Sequence, residues 1–299
     1  MLARMLRPRR LLAAVCGTVA VLLVGGPLLP MPPGLELARE HGSSRPTQTE
    51  ILTLEAARSA RQRATARRSA AASSIRALRA ARRWARHRTG RVAFAFVDRG
   101  GRLRGQRAGA EFLSASLVKA MLLVADLRRL DASGHALRAP TKAALSRMIR
   151  RSDNAAADAI YARVGDRGLD RLARAVGMRR FRSAGHWASA VVTAADQVRF
   201  FARFDRLTPA SHRRLARRLL STVVPDQRWG IPRAVPAGGH VFFKGGWRPT
   251  TTGNLVHQAG LVERQRGRTA LAVLTDGNPS HAYGVSSVRG IARRILAPR

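Results

Sequence analysis

Residues 111–130 read Glu-Phe-Leu-Ser-Ala-Ser-Leu-Val-Lys-Ala-Met-Leu-Leu-Val-Ala-Asp-Leu-Arg-Arg-Leu, and the rest of the chain is placed by what this stretch requires. From Leu117 to Leu127 nearly every residue is apolar and no polar face is left, which predicts a helix buried on all sides. Lys119 lies inside it, one turn after Ser116 and on the same face. Burial strips hydration from an ammonium, lowers its pKa and favours the neutral amine. A neutral amine beside a serine can take the hydroxyl proton and make the oxygen a nucleophile.

The wider composition sharpens this. Of 55 Lys plus Arg, only Lys119, Lys142 and Lys244 are lysine. Arginine is the default cation and cannot act as a base near neutral pH, so a lysine kept against that bias marks a place where a compact, deprotonatable amine is needed. Lys142, at an expected exposed helix start, reads as drift.

The formal charge of +38 is spread along the chain, +13 over residues 1–90 and +25 over residues 91–299. Such a field favours anionic partners, among them anionic membranes and cell-wall polymers. Aromatics make up 5% and no helix-turn-helix, ribonucleoprotein or zinc pattern is present, so specific nucleic-acid binding is not expected. The single cysteine, Cys16, falls in the N-terminal apolar stretch, which excludes disulfide and thiol chemistry from the folded part. Too little apolar sequence precedes it, and Val15 is too poor a neighbour, for a lipoprotein box.

Arg4, Arg7, Arg9 and Arg10 precede an uncharged run from Leu11, the pattern of a signal peptide or membrane anchor over residues 1–35. Its helix-capable part spans about 24 Å at 1.5 Å per residue, between the two possibilities. The remainder is expected to face outside the cytoplasm, secreted or anchored. Residues 36–72 read as a basic linker and helix, and residues 73–299 as one domain. Within that domain strands are expected at 91–98, 103–106, 240–246, 253–261 and 269–275. Helices are expected around Ser116, at 141–151, 155–164, 168–176, 194–205 and 208–222, and at 285–296. Strands, then helices, then strands and a helix imply an α+β fold of three layers, helix on sheet on helix. Its antiparallel sheet is assembled from both chain ends, with an all-helical region inserted.

Three short elements complete the chemistry: Ser116-Leu-Val-Lys119, Ser152-Asp153-Asn154 and Lys244-Gly245-Gly246. In this order they resemble the signature of class A β-lactamases and penicillin-binding proteins, from about residue 75 to the end of the chain. The resemblance implies Ser116 as nucleophile, Lys119 as its base, Ser152 as proton relay to the leaving nitrogen and Lys244 as a positive field. It also implies Asn154 as the partner of a substrate amide. Gly246 and Trp247 would border the substrate, with the backbone N–H groups of Ser116 and Trp247 as oxyanion hole. No cofactor or metal is required, and a monomer is expected. Alone, Ser152-Asp153-Asn154 reads more readily as a helix cap. Lys244 reads as an edge-strand charge, against which its neighbours Phe242, Phe243 and Trp247 suggest a half-buried setting. Ser114 competes for the nucleophile role but lacks a lysine one turn on. His186, His257 and His281 show no metal-ligand spacing, and Trp187 is expected to pack or line the cleft.

The pattern departs from the family in three places. Class A β-lactamases deacylate with an omega-loop glutamate, yet residues 183–193 contain no carboxylate, and the only glutamate after Glu111 is Glu263. Gly245 replaces the usual Thr or Ser, and the interval from Ser116 to Ser152 is short. Three readings follow: a β-lactamase-like serine hydrolase slow to deacylate β-lactams or related amides and esters, a D,D-peptidase-like enzyme acting on peptidoglycan stem peptides, or a catalytically silent wall-binding protein.

Overall fold

The computed structural model describes residues 48–265 and 267–297. The expected signal or anchor, Cys16 and the first part of the linker lie outside the described residues. No described helix is long and apolar enough to cross a membrane.

A five-stranded antiparallel sheet forms from the two ends of the domain. β1 (Arg91–Val97) and β2 (Leu103–Gln106) come from the start; β5 (His240–Thr250), β6 (Gly253–Arg264) and β7 (Gly267–Asn278) come from the end. Their order is β2-β1-β7-β6-β5, so β7 stitches the ends together by pairing with β1. Asp98 closes the β1–β2 turn by accepting the N–H groups of Gly100 and Arg102, both at 2.9 Å.

Strand alternation sends side chains to opposite faces, and both faces are covered. Phe94, Phe96, Val256, Leu271 and Val273 pack with α7 (His281–Leu296) and with Ala81 and Ala85 of α1 (Gln48–Arg86). The opposite face carries small residues, Ala93, Ala95, Ala259, Ala270 and Ala272. They make room for Phe200, Phe201 and Phe204 of α5 (Ala194–Leu207), all fully buried or nearly so. Small sheet residues opposite bulky helix residues fill the layer without voids.

The inserted region holds α2 (Lys119–Ala132), α3 (Ala139–Arg150), α4 (Asn154–Val176) and α6 (Ala210–Ser221). α2 is buried on nearly every side from Lys119 to Leu127, as its composition requires. Two expected helices at 155–164 and 168–176 form the single α4, kinked at Gly165 (φ +60°, ψ 179°), a backbone state open almost only to glycine. A two-stranded sheet, β3 (Glu111–Leu113) with β4 (Val191–Thr193), had no signal in the sequence because each strand is three residues long.

Candidate active site

Ser116 sits in a single 3₁₀ turn, residues 115–118, immediately before α2 begins at Lys119. In a 3₁₀ turn residues three apart eclipse, so Ser116 and Lys119 share a face. Ala115 carries a left-handed φ of +43°, a strained state for a residue with a Cβ, and this sets the turn that presents Ser116. Ser116 is partly buried and its hydroxyl makes no hydrogen bond among the described residues. Ser114 is fully buried, and its hydroxyl donates to the Trp187 carbonyl at 3.0 Å, a structural role.

Lys119 is fully buried. Its Nζ donates to the Ser152 carbonyl at 2.6 Å and to Asn154 Oδ1 at 2.7 Å, and lies 3.5 Å from Ser152 Oγ. Desolvation pulls its pKa down to about 8, against the opposing charges of Asp153 and Asp158. The indole of Trp187, itself buried, lies over the amine with 4.4 Å from Nζ to ring centroid. The helix-cap reading and the site reading of Ser152-Asp153-Asn154 each hold for different residues. Asp153 caps α4 by accepting Ala156 N–H at 2.7 Å, while Ser152 and Asn154 reach Lys119. Ser152 also has a left-handed φ of +58°, and from there its carbonyl reaches one lysine and its hydroxyl the other.

Lys244 lies on edge strand β5, yet it is fully buried rather than half-buried. Its Nζ donates to Ser152 Oγ at 3.0 Å and to the Gly245 carbonyl at 2.9 Å. Burial, then the nearby charge of Lys119, holds its pKa well below the usual lysine range.

Gly246 brings β5 onto the turn that carries Ser116. A Cβ at this position would lie 2.8 Å from Leu117 N and 3.1 Å from Ser116 N, so only glycine allows so close an approach. Trp247 follows, half-buried, with its ring centroid 5.9 Å from Lys244 Nζ. At Gly245 a Cβ would meet Trp229 at 3.3 Å, and Trp229, Trp247 and His281 form a cluster of edge-on and tilted rings. The place of the missing hydroxyl is thus bordered by an uncharged aromatic surface, His281 being pushed below its usual pKa by burial.

The stretch carrying Trp187 contains no carboxylate, but three carboxylates of α4 hold it. Asp158 accepts Trp187 Nε1 at 2.7 Å, Asp166 accepts Gly185 N–H at 2.8 Å, and Asp170 accepts the Ser183 hydroxyl at 2.9 Å. Sequence reading missed this set; Asp158, Asp166 and Asp170 were visible, but nothing local says what they hold. It also gave His257, which lacks metal-ligand spacing, no role. This fully buried ring takes Thr275 N–H on Nδ1 at 3.1 Å and lies 3.1 Å from the Leu113 carbonyl through Nε2. Burial lowers its pKa to about 4, so it stays neutral and ties β6 to the residue before Ser114. Among the described residues no cluster of three His, Cys, Asp or Glu could hold a metal.

Comparison with solved structures places the fold. A beta-lactamase from Sphaerobacter thermophilus superposes with a TM-score of 0.64 at 23% identity, covering 73% of this chain and 95% of that one. A class A beta-lactamase from Mycobacterium abscessus gives 0.62 at 21% identity, covering 74% and 98%. A class A representative from Bacteroides cellulosilyticus gives 0.67 at 14% identity, covering 75% and 97%. No curated protein matches the chain. The model of the beta-lactamase enzyme family matches residues 133–297, which include Ser152, Asn154 and Lys244 and begin after Lys119. With a helical insert between strands from both ends, and more than half of its length matched, the chain belongs to the beta-lactamase enzyme family.

Proposed function

We propose that the protein is an extracytoplasmic serine hydrolase that acylates Ser116 with β-lactams or related amides and esters and releases the acyl group slowly. The observation that carries this reading is the bonding of Lys119. As a neutral amine it has two N–H groups, both engaged by the Ser152 carbonyl and Asn154 Oδ1, and one lone pair. That lone pair takes the Ser116 proton as Oγ attacks the carbonyl carbon. The negative charge gathering on the carbonyl oxygen falls to the backbone N–H groups of Ser116 and Trp247. The Ser152 hydroxyl, bonded to Lys244, then passes a proton to the leaving nitrogen as the C–N bond breaks. It is reprotonated by Lys119, which carries the Ser116 proton and lies 3.5 Å from Ser152 Oγ.

Hydrolysis of the ester needs a base for water. The two carboxylates whose charges act on Lys119 are otherwise engaged: Asp153 caps α4 and Asp158 holds Trp187. Trp187 covers the amine. These features support a long-lived acyl-enzyme. A D,D-peptidase-like action on peptidoglycan stem peptides would draw on the same acylation chemistry, and the missing carboxylate favours it as the second reading.

The test is labelling of the full chain with a fluorescent penicillin, followed over time. Label that forms on Ser116, persists for hours and is absent from Ser116→Ala supports the proposal. Label that turns over within seconds would refute slow release, and no label in the parent protein would refute acylation by β-lactams. Release of D-alanine from a stem-peptide analogue distinguishes the second reading.

A further inference from the structure

A cavity of about 620 Å³ opens between the end of α2, the second half of α4 and the connection from α5 to α6. It shares no residue with the cluster around Ser116. Five arginines line it, Arg128, Arg129, Arg171, Arg206 and Arg213, against the single carboxylate of Asp131.

Arg129 is paired with the buried carboxylate of Asp126 at 3.0 Å, but the bonding of the other four leaves charge uncompensated. Arg128 donates to the Leu207 carbonyl at 3.1 Å, and Arg213 Nε donates to the Asp205 carbonyl at 2.8 Å. A carbonyl fixes a guanidinium in place without cancelling its charge. Arg171 and Arg206 make no hydrogen bond or ion pair among the described residues. The neighbouring acids are committed elsewhere. Asp205 pairs through its carboxylate with Arg217 and Arg268, and Asp131 accepts the Ser211 hydroxyl at 3.2 Å. The kink at Gly165 redirects the second half of α4, which carries Arg171 to the cavity.

We propose that this cavity binds a ligand carrying two or more phosphate groups. Guanidinium forks match phosphate oxygens bidentately. One phosphate would engage two of them and leave the others, and most of the volume, unused. A soluble oligophosphate and a phosphorylated lipid headgroup share this chemistry.

The experiment is calorimetric titration of the full chain with tripolyphosphate at about 0.15 M salt, where diffuse surface attraction is screened. Saturable one-to-one binding is expected, weakened about tenfold or more in Arg171→Gln/Arg206→Gln through the loss of charge-assisted hydrogen bonds. Both arginines are exposed and unbonded, so folding should be retained; Ala132→Glu, which adds a carboxylate to the lining, should weaken binding as well. Arg58→Gln/Arg61→Gln, an equal loss of charge on α1, should leave binding unchanged. Equal weakening by the two double variants, or binding that never saturates, would overturn the proposal. Vesicles containing phosphatidylinositol bisphosphate, whose headgroup carries more than one phosphate, assign the source. Cavity-dependent binding that tripolyphosphate displaces points to a headgroup, and failure to bind vesicles beside intact tripolyphosphate binding points to a soluble ligand.

Discussion

Ser152 is the residue at which the two lysines meet: its carbonyl reaches Lys119 and its hydroxyl reaches Lys244. A left-handed φ at a non-glycine residue costs of order 1–3 kcal/mol and persists only where surrounding contacts over-determine it. Two buried amines provide those contacts. If Lys119 is the base, the acylation rate follows its neutral fraction. Below a pKa of about 8 that rate should rise roughly tenfold per pH unit, then level off. Stopped-flow labelling between pH 5.5 and 9.5 checks this, and a flat profile would remove Lys119 from the proton transfer. Lys119→Arg keeps the charge but presents no lone pair near neutral pH. It should abolish labelling, whereas labelling at the parent rate would leave only an electrostatic role. The same residues show what was legible. Ser116, Lys119 and Lys244 stand out in the sequence through spacing and the rarity of lysine, and Ser152 and Asn154 through the resemblance to the β-lactamase signature. The strain at Ala115 and Ser152 does not, because backbone dihedrals at ordinary residues leave no mark in composition.

Among the elements, α4 does two jobs with one irregularity. Its first half presents Asn154 to Lys119 and Asp158 to Trp187, while beyond the kink at Gly165 its second half supplies Asp166 and Asp170 to the stretch that carries Trp187. Gly165→Ala places a Cβ in a backbone region essentially closed to other residues and should cost about 1–3 kcal/mol. Chemical denaturation measures that cost. An unchanged midpoint would mean that α4 straightens freely and that the kink carries no structural load. α2 shows the opposite case, an element whose fate composition settles, since an apolar run this long has nowhere to go but the interior.

For the whole molecule, charge is the dominant feature. A formal +38 over 299 residues implies self-repulsion in the folded state, relieved as ions screen it. The midpoint of thermal unfolding should therefore rise between about 0.02 and 0.3 M sodium chloride. A midpoint that falls or stays level would mean that local ion pairs, such as those of Asp205 and Glu263 with Arg217 and Arg268, outweigh the global field. The sequence by itself determined the three-layer α+β architecture, because strand and helix periods are local and their order along the chain restricts how the sheet can close. It also supplied the catalytic candidates. Tertiary structure alone decided that Trp187 covers Lys119, that Lys244 on an edge strand is fully buried, and that five arginines from four separate helices gather around one cavity. Each of these depends on contacts between residues far apart in the chain, and such contacts are set by how elements pack, which no local pattern records.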